Sequence, residues 1–130
     1  MDVEIVAFSR RGGRPYNEDS YGQWNDGHFA ACVVADGAGG HGGGDVASTL
    51  ARNSLLQGFS QAPAVDPQRL GELLRQADDL VREQQASGHA LARMRTTAVL
   101  LALDLVNDRF VFAHCGDSRL YCFRRGQVAW

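Results

Sequence analysis

The sequence predicts an α+β domain in which two helices cover one face of a mainly antiparallel sheet. Apolar residues recur with a period of two before residue 36, with helical spacing between residues 46 and 81, and again with a period of two from Thr96 onward. Strands that come before and after a pair of helices are typical of this fold class.

The N-terminal part of the chain predicts three strands. Alternation indicates a first strand over Val3–Ser9, and a polar loop follows from Arg10 to Asp19. Ser20–Trp24 and His28–Ala35 are the next two strands. The letters "NDG" between them are typical of a hairpin turn, so these two strands should be antiparallel neighbours.

The middle of the chain predicts two amphipathic helices. Apolar residues from Val46 to Phe59 fall on one helical face, and a second stripe runs from Leu70 to Val81. Asp66 is the expected N-cap of the second helix, since Pro67 fits the first helical turn. The second stripe is predicted to form core.

The C-terminal part predicts four more strands: Thr96–Leu105, Arg109–Cys115, Arg119–Arg124 and one that begins at Gln127. The turns between them contain "VND", "GDS" and "RRG", which are rich in turn-forming residues. The sheet is therefore built from both sides of the helical pair.

Composition excludes several classes of function. The 130 residues carry a net charge of −2, without a lysine and without a basic cluster, so neither nucleic acid nor a membrane surface is an expected partner. No segment is apolar enough to span a membrane, and the acidic start does not resemble a signal peptide. We therefore expect a cytoplasmic protein, whose three cysteines are buried, reduced thiols.

The most unusual stretch lies between Asp36 and the first helix, where six glycines and His41 share one loop. The loop is too short and too closely flanked to be a linker. A phosphate-binding loop of the P-loop kind needs a lysine, which the chain lacks. The dinucleotide fingerprint fits Gly37–Gly42, but a second helix follows the first where that motif expects a parallel strand.

A metal site is the remaining explanation. Glu18 and Asp19 lie in the loop after the first predicted strand, and Asp36 ends the third. If those two strands are neighbours, the carboxylates meet at one end of the sheet, where Mg²⁺ or Mn²⁺ would find the oxygen ligands that it prefers. Gly37 would let its carbonyl turn inward as another ligand. Each residue alone also fits an ordinary turn or strand end, but together they favour a metal.

Four motifs, in this order along the chain, resemble those of a known protein family. "GRPYNEDSY", "VVADGAGGHGGGDVAS", "TTAVLLAL" and "AHCGDSRLY" closely resemble the metal-dependent Ser/Thr protein phosphatases of type 2C (PPM), in their bacterial branch. The resemblance covers Ile5 to Val128. It implies an antiparallel β-sandwich flanked by helices (an α-β-β-α fold), of which residues 1–130 would be the N-terminal portion of a single domain.

The resemblance also implies a ligand set for two Mn²⁺ or Mg²⁺ ions, with a possible third. By motif position, Asp36 would bridge the two ions, while Glu18 and the Gly37 carbonyl would bind one of them. Asp19 would support the metal-bound waters. Asp117, in "GDSR", would hold the further, more weakly bound ion.

The reaction implied is hydrolysis of phosphoserine or phosphothreonine by a metal-activated water. Arg14 would grip the substrate phosphate, for which its planar guanidinium is suited. His41 would be the general acid that protonates the departing oxygen. The expected partners are a phosphoprotein substrate and an opposing Ser/Thr kinase in the same signalling pathway.

A cysteine-nucleophile phosphatase is a second interpretation of "HCGDSR". Its signature needs an arginine six residues after the cysteine, whereas Arg119 follows Cys115 by four. No helix follows that could lower the pKa of the thiol. The spacing therefore argues against it.

Two departures from the phosphatase pattern bear on activity. Arg95, in "MRTT", stands where the family usually has glycine, and the family's later half supplies two further metal-binding aspartates. Neither Asp78 and Asp79 nor Asp104 and Asp108 are placed to substitute for these. We therefore expect this chain alone to be inactive, and the alternative is a non-catalytic phosphatase-like module that binds a phosphoprotein or partner.

Overall fold

The computed structural model describes residues 1–38 and 42–130, and its centre is a four-stranded antiparallel sheet. The strands lie in the order β1-β2-β3-β4, with β1 at Asp19–Asn25, β2 at Phe29–Asp36, β3 at Ala98–Asp104 and β4 at Arg109–Cys115. The predicted hairpin of β1 and β2 is confirmed, and β3 and β4 form a second one. Every pair of neighbouring strands in this sheet is antiparallel.

The register gives the sheet two distinct ends. Asp19 lies directly opposite Asp36 at the end that we call the Asp36 end. Phe29 lies opposite Asp104 at the other, the Asp104 end, where the β1–β2 and β3–β4 turns also lie. The two helices pack against one face of this sheet.

Helices α1 (Gly44–Gln61) and α2 (Pro67–Ala86) confirm the two predicted helices, but Leu80, within the second predicted stripe, is exposed and not part of the core. The carboxylate of Asp66 accepts a hydrogen bond from the Arg69 amide at 2.8 Å, so Asp66 is the N-cap and Pro67 the first residue of α2. A single 3₁₀ turn, His89–Leu91, follows. The core between helices and sheet contains Ala31, Val33, Leu55, Phe59, Leu70, Leu73, Ala77 and Leu100, all buried.

The predicted strand over Val3–Ser9 is wrong. Residues 1–18 contain no strand, and the exposed fractions of Val6 and Phe8 are 83% and 75%. Alternation alone does not make a strand, because the backbone amides also need a neighbouring strand to pair with, and none pairs with this segment among the described residues. The segment instead runs along the outer face of β1 and β2, beside a groove of about 740 Å³.

The C-terminal residues form only a small hairpin, with β5 at Phe123–Arg124 and β6 at Gln127–Val128. The prediction that a strand begins at Arg119 is wrong, since the chain between Cys115 and Cys122 is irregular. Trp130 stacks on Phe112 of β4 at 4.7 Å between ring centroids. This contact fixes the C-terminal end of the chain to the sheet.

The α+β class is confirmed, with helices on one face of an antiparallel sheet. No described helix combines the length and the apolar character that a membrane crossing requires. All three cysteines are free, as expected. Cys115, however, is exposed while Cys32 and Cys122 are half-buried, so the expectation of buried thiols is wrong.

Candidate functional site

The first feature of the Asp36 end is a facing pair of carboxylates. Asp19 begins β1 and Asp36 ends β2, so the antiparallel register sets them opposite each other. The sequence led us to expect this meeting, but from a neighbouring first strand at Val3–Ser9. The hairpin of β1 and β2 brings the pair together instead.

The electrostatic environment of Asp36 is predominantly acidic. Partial desolvation raises the pKa of the Asp36 carboxyl, and the adjacent Asp19 raises it further through charge repulsion and a side-chain hydrogen bond. The Asp117 carboxylate acts in the same direction, and Arg14 opposes it. Three carboxylates and one guanidinium therefore interact at this end of the sheet.

Glu18 adds a buried carboxylate beside this group. Only 6% of its surface is exposed, and its Oε1 atom has no hydrogen-bond partner in the part of the chain that the structure describes. A buried carboxylate oxygen without a partner is costly. Such an oxygen fits a hard cation, which would supply the missing positive charge.

Close backbone contacts hold Glu18 in place. The Glu18 carbonyl oxygen accepts hydrogen bonds from the Gly37 amide at 3.2 Å and from Ser48 Oγ of α1 at 2.6 Å. A Cβ atom at Gly37 would overlap the backbone oxygens of both Glu18 and Gly44. Glycine at position 37 is therefore required by this close approach, which joins β1, β2 and the start of α1.

The backbone of Asp36 is fixed by two threonines that precede β3. Thr97 exchanges two hydrogen bonds with Asp36, and the Thr96 hydroxyl donates to the Asp36 carbonyl at 3.1 Å. Regular β3 begins at Ala98, two residues later than predicted, and Thr96 forms an isolated bridge with Gly37. Sequence analysis missed this role, although two adjacent hydroxyl side chains before a buried strand were a possible signal.

Arg14 lies in the irregular N-terminal segment. It lines a cavity of about 160 Å³ together with Arg10 and Arg11. Glu18, Asp19, Asp36 and Gly37 line the same cavity. A space lined by both arginines and carboxylates suits a cation together with an anionic ligand.

The predicted site residues thus converge at the Asp36 end, with one exception. One cavity is lined by Glu18, Asp19, Asp36, Gly37 and Arg14. The Asp117 carboxylate interacts electrostatically with Asp36. His41 lies outside the described residues. Within residues 1–38 and 42–130, no three Asp, Glu, His or Cys side chains close around one point that could hold a metal ion. The donors suit Mg²⁺ or Mn²⁺ in kind, but they do not form a complete cage.

Comparisons with known proteins find relatives among bacterial serine/threonine phosphatases. Serine/threonine phosphatase stp of Listeria welshimeri is 34% identical over 121 residues, which are 88% of this chain and 47% of that protein. The catalytic domain of the serine/threonine protein phosphatase PstP, solved in complex with two manganese ions, has a TM-score of 0.68 at 31% identity. That match covers 88% of this chain and 48% of the PstP chain.

A third comparison supports the fold. The crystal structure of the serine/threonine phosphatase Stp1 from Staphylococcus aureus has a TM-score of 0.77 at 24% identity, over 98% of this chain and 54% of that one. This chain spans about half the length of the curated Listeria relative that it matches. The family model described as protein phosphatase 2C matches residues 9–129. Because that match extends over nearly the whole sequence, the chain belongs to the protein phosphatase 2C family.

Proposed function

We propose that this chain carries the metal-binding and phosphate-binding part of a Mn²⁺- or Mg²⁺-dependent protein serine/threonine phosphatase. One observation carries the proposal: Glu18, whose Oε1 atom is buried and has no partner among the described residues, lines the same cavity as the facing residues Asp19 and Asp36. A cluster of carboxylates without a compensating cation is unfavourable, and a divalent ion would reverse that.

The direct ligands in this proposal are Glu18, Asp36 and the Gly37 carbonyl, and Asp19 orients the surrounding water. Asp117 contributes to a further, weaker position. When bound, the cation supplies Lewis acidity and positive charge next to the substrate phosphate. Two ions are proposed for the active site, by analogy with the PstP catalytic domain, which was solved in complex with two manganese ions.

Two residues act on the substrate itself. Arg14, which lines the same cavity as the carboxylates, binds phosphate oxygens through its planar guanidinium. His41 is proposed to donate a proton to the departing serine or threonine oxygen, because imidazole titrates near neutral pH. The substrate is then a phosphoprotein, and a Ser/Thr kinase opposes the reaction.

A non-catalytic phosphoprotein-binding module is the second candidate. It is favoured by the incomplete cage, since three metal-binding side chains do not close around one point in the described part of the chain. Such a module would bind phosphopeptide through Arg14 and its neighbours without hydrolysis. The two candidates differ in whether bound phosphopeptide depends on the metal and is turned over.

The test measures phosphate release from a phosphothreonine peptide by the complete gene product, with Mn²⁺ and with EDTA. We expect Mn²⁺-dependent release that Asp36→Asn abolishes. Asp79→Asn is the matched control, because it makes the same chemical change on the exposed surface of α2. For the 130-residue chain alone we expect weak binding of one Mn²⁺ and no turnover.

Phosphopeptide binding that persists in EDTA, with no phosphate release by the complete gene product, would support the non-catalytic module instead. Equal release by wild type and Asp36→Asn would contradict the site assignment. Tight binding of two ions by the 130-residue chain, with steady turnover, would show that the ligand set proposed here is incomplete.

A further inference from the structure

We propose that Thr97 is a positioning residue, which, through Ser118, fixes the turn that carries Asp117 at a set distance from Asp36. This inference rests on the proposed function, because it concerns how two of the proposed metal-binding carboxylates are held. Thr97 itself is not proposed to contact metal or substrate.

The first step is the bond between Thr97 and Asp36. The Thr97 amide donates to the Asp36 carbonyl at 2.9 Å, and the Asp36 amide donates to Thr97 Oγ1 at 3.0 Å. These two residues thus form a reciprocal pair in which a backbone bond and a side-chain bond both act. Movement of the Thr97 side chain would break its hydrogen bond with the Asp36 amide.

The second step is the contact between Thr97 and the turn after β4. Thr97 Oγ1 and Ser118 Oγ are 2.5 Å apart, a distance at which one hydroxyl donates to the other. On the other side of Asp117, Gly116 has a φ of +88°, and a Cβ atom there would lie only 2.7 Å from Thr97 Cγ2. The turn therefore rests directly on the Thr97 side chain.

The third step is electrostatic. Asp117 lies on an exposed turn between Gly116 and Ser118, both of which are held close to Thr97. Repulsion between the Asp117 and Asp36 carboxylates favours a larger distance between the turn and Asp36. The Thr97–Ser118 hydrogen bond opposes that separation, so Asp117 is already near Asp36 when an ion arrives.

Thr96 provides a matched comparison on the neighbouring position. Its hydroxyl also binds the Asp36 carbonyl, at 3.1 Å, and its second contact is the Thr97 carbonyl at 2.8 Å. No hydrogen bond joins its side chain to residues 116–118 in the described structure. Replacing either threonine removes a bond to Asp36, but only Thr97 also binds the turn.

The experiment is a set of double-mutant cycles read by Mn²⁺ titration of the complete gene product, with electron paramagnetic resonance detecting free Mn²⁺. We expect Thr97→Val and Ser118→Ala each to weaken Mn²⁺ binding at the further position, to which Asp117 contributes, about tenfold, as loss of a group that orients a ligand does. Thr97→Ser, which keeps the hydroxyl, should restore most of the affinity. In an Asp117→Asn background, Ser118→Ala should have less than about a twofold effect, because the two residues act as a unit.

Thr96→Val should give the same effect with and without Asp117→Asn. Melting temperatures of the metal-free variants separate positioning from folding, since a merely structural role would lower the Tm and leave the Mn²⁺ affinity of folded chain unchanged. Additive effects of Ser118→Ala and Asp117→Asn, or unchanged affinity in Asp117→Asn alone, would overturn the inference while the proposed function stands. Absence of Mn²⁺ binding by the wild type, or full binding by Asp36→Asn, would overturn both.

Discussion

The two ends of the central sheet place aspartates in opposite environments. At the Asp36 end, Asp36 faces Asp19, and desolvation together with neighbouring carboxylates raises the pKa of its side chain. At the Asp104 end, Asp26 lies in the β1–β2 turn and Asp104 ends β3, and hydrogen bonds from nearby residues lower the pKa values of both carboxyl groups. The same residue type therefore has a different role at each end of the sheet.

The difference lies in the hydrogen-bond donors. Asp104 accepts from the Val106 amide at 3.2 Å, the Asn107 amide at 2.9 Å and Asn107 Nδ2 at 2.7 Å, so both of its oxygens are satisfied. Glu18 Oε1, at the other end, has no donor among the described residues. A satisfied carboxylate stabilises a turn, whereas an unsatisfied one stores a cost that a cation can relieve.

Substitution of Asp36 should have the largest effect on Mn²⁺ binding. Asp36→Asn should weaken Mn²⁺ binding by the 130-residue chain by at least about 100-fold, because even groups that only orient a ligand contribute 10- to 100-fold. The same substitution should stabilise the metal-free chain by about 0.5 kcal/mol, since it removes a like charge opposite Asp19. Mn²⁺ titration and urea denaturation measure the two effects. A lower stability together with unchanged Mn²⁺ affinity would mean that Asp36 is a structural residue.

Glu18→Gln, at a buried position, should likewise raise the stability of the metal-free chain and lower its Mn²⁺ affinity. The substitution removes a buried charge, so we expect the metal-free chain to gain about 1 kcal/mol of stability. Mn²⁺ affinity should fall about tenfold, because the amide is a weaker ligand of hard cations than the carboxylate. Urea denaturation with and without saturating Mn²⁺ checks both, and a loss of stability in the metal-free state would contradict the proposed role of Glu18.

Substitution of Arg14 tests phosphate binding in the same cavity. Arg14→Ala should weaken binding of a phosphothreonine peptide to the Mn²⁺-loaded chain about tenfold, as expected for loss of a charge-assisted hydrogen bond. The Mn²⁺ affinity should not fall, because Arg14 is a positive charge that opposes cation binding. Arg124→Ala, on the distant C-terminal hairpin, is the control. Collapse of Mn²⁺ binding in Arg14→Ala would make Arg14 a structural residue.

The regular elements could be predicted because each has its own local signal. The "NDG" turn joins β1 and β2 as expected, and the Asp66 cap with Pro67 begins α2 at the predicted position. The Val3–Ser9 strand could not be judged from its alternation. Whether a segment pairs depends on a neighbouring strand that lies elsewhere in the sequence.

The site was predicted residue by residue but not as an arrangement. Motif positions identified Glu18 and Asp36, yet nothing local shows that Glu18 Oε1 is buried without a partner. The hydrogen bond between Thr97 and Ser118 joins residues 21 positions apart, so it depends on the register of β3 with β4. Such contacts are created by the fold and leave little trace in the order of residues.

The smallest effect is expected at the Asp104 end, where the sign of the stability change reverses. Asp104→Asn keeps the shape of the side chain but loses the charge that strengthens its bonds to Val106 and Asn107 and attracts His28, whose Nε2 lies 3.8 Å away. We therefore expect a lower Tm at pH 7 and no change in Mn²⁺ affinity.

The pH dependence of that difference follows from the direction of the pKa shift. Folding lowers the pKa of Asp104, so its stabilisation is fully present above the unfolded value of about 3.9 and is lost as the pH falls through the lower, folded value. The stability difference between wild type and Asp104→Asn should accordingly shrink between about pH 4 and pH 2. Urea denaturation across that range measures it, with His28→Gln in both backgrounds to remove the imidazolium contribution. A difference that stays constant down to the lowest pH would show that hydrogen-bond geometry alone, and not the charge on Asp104, stabilises this end of the sheet.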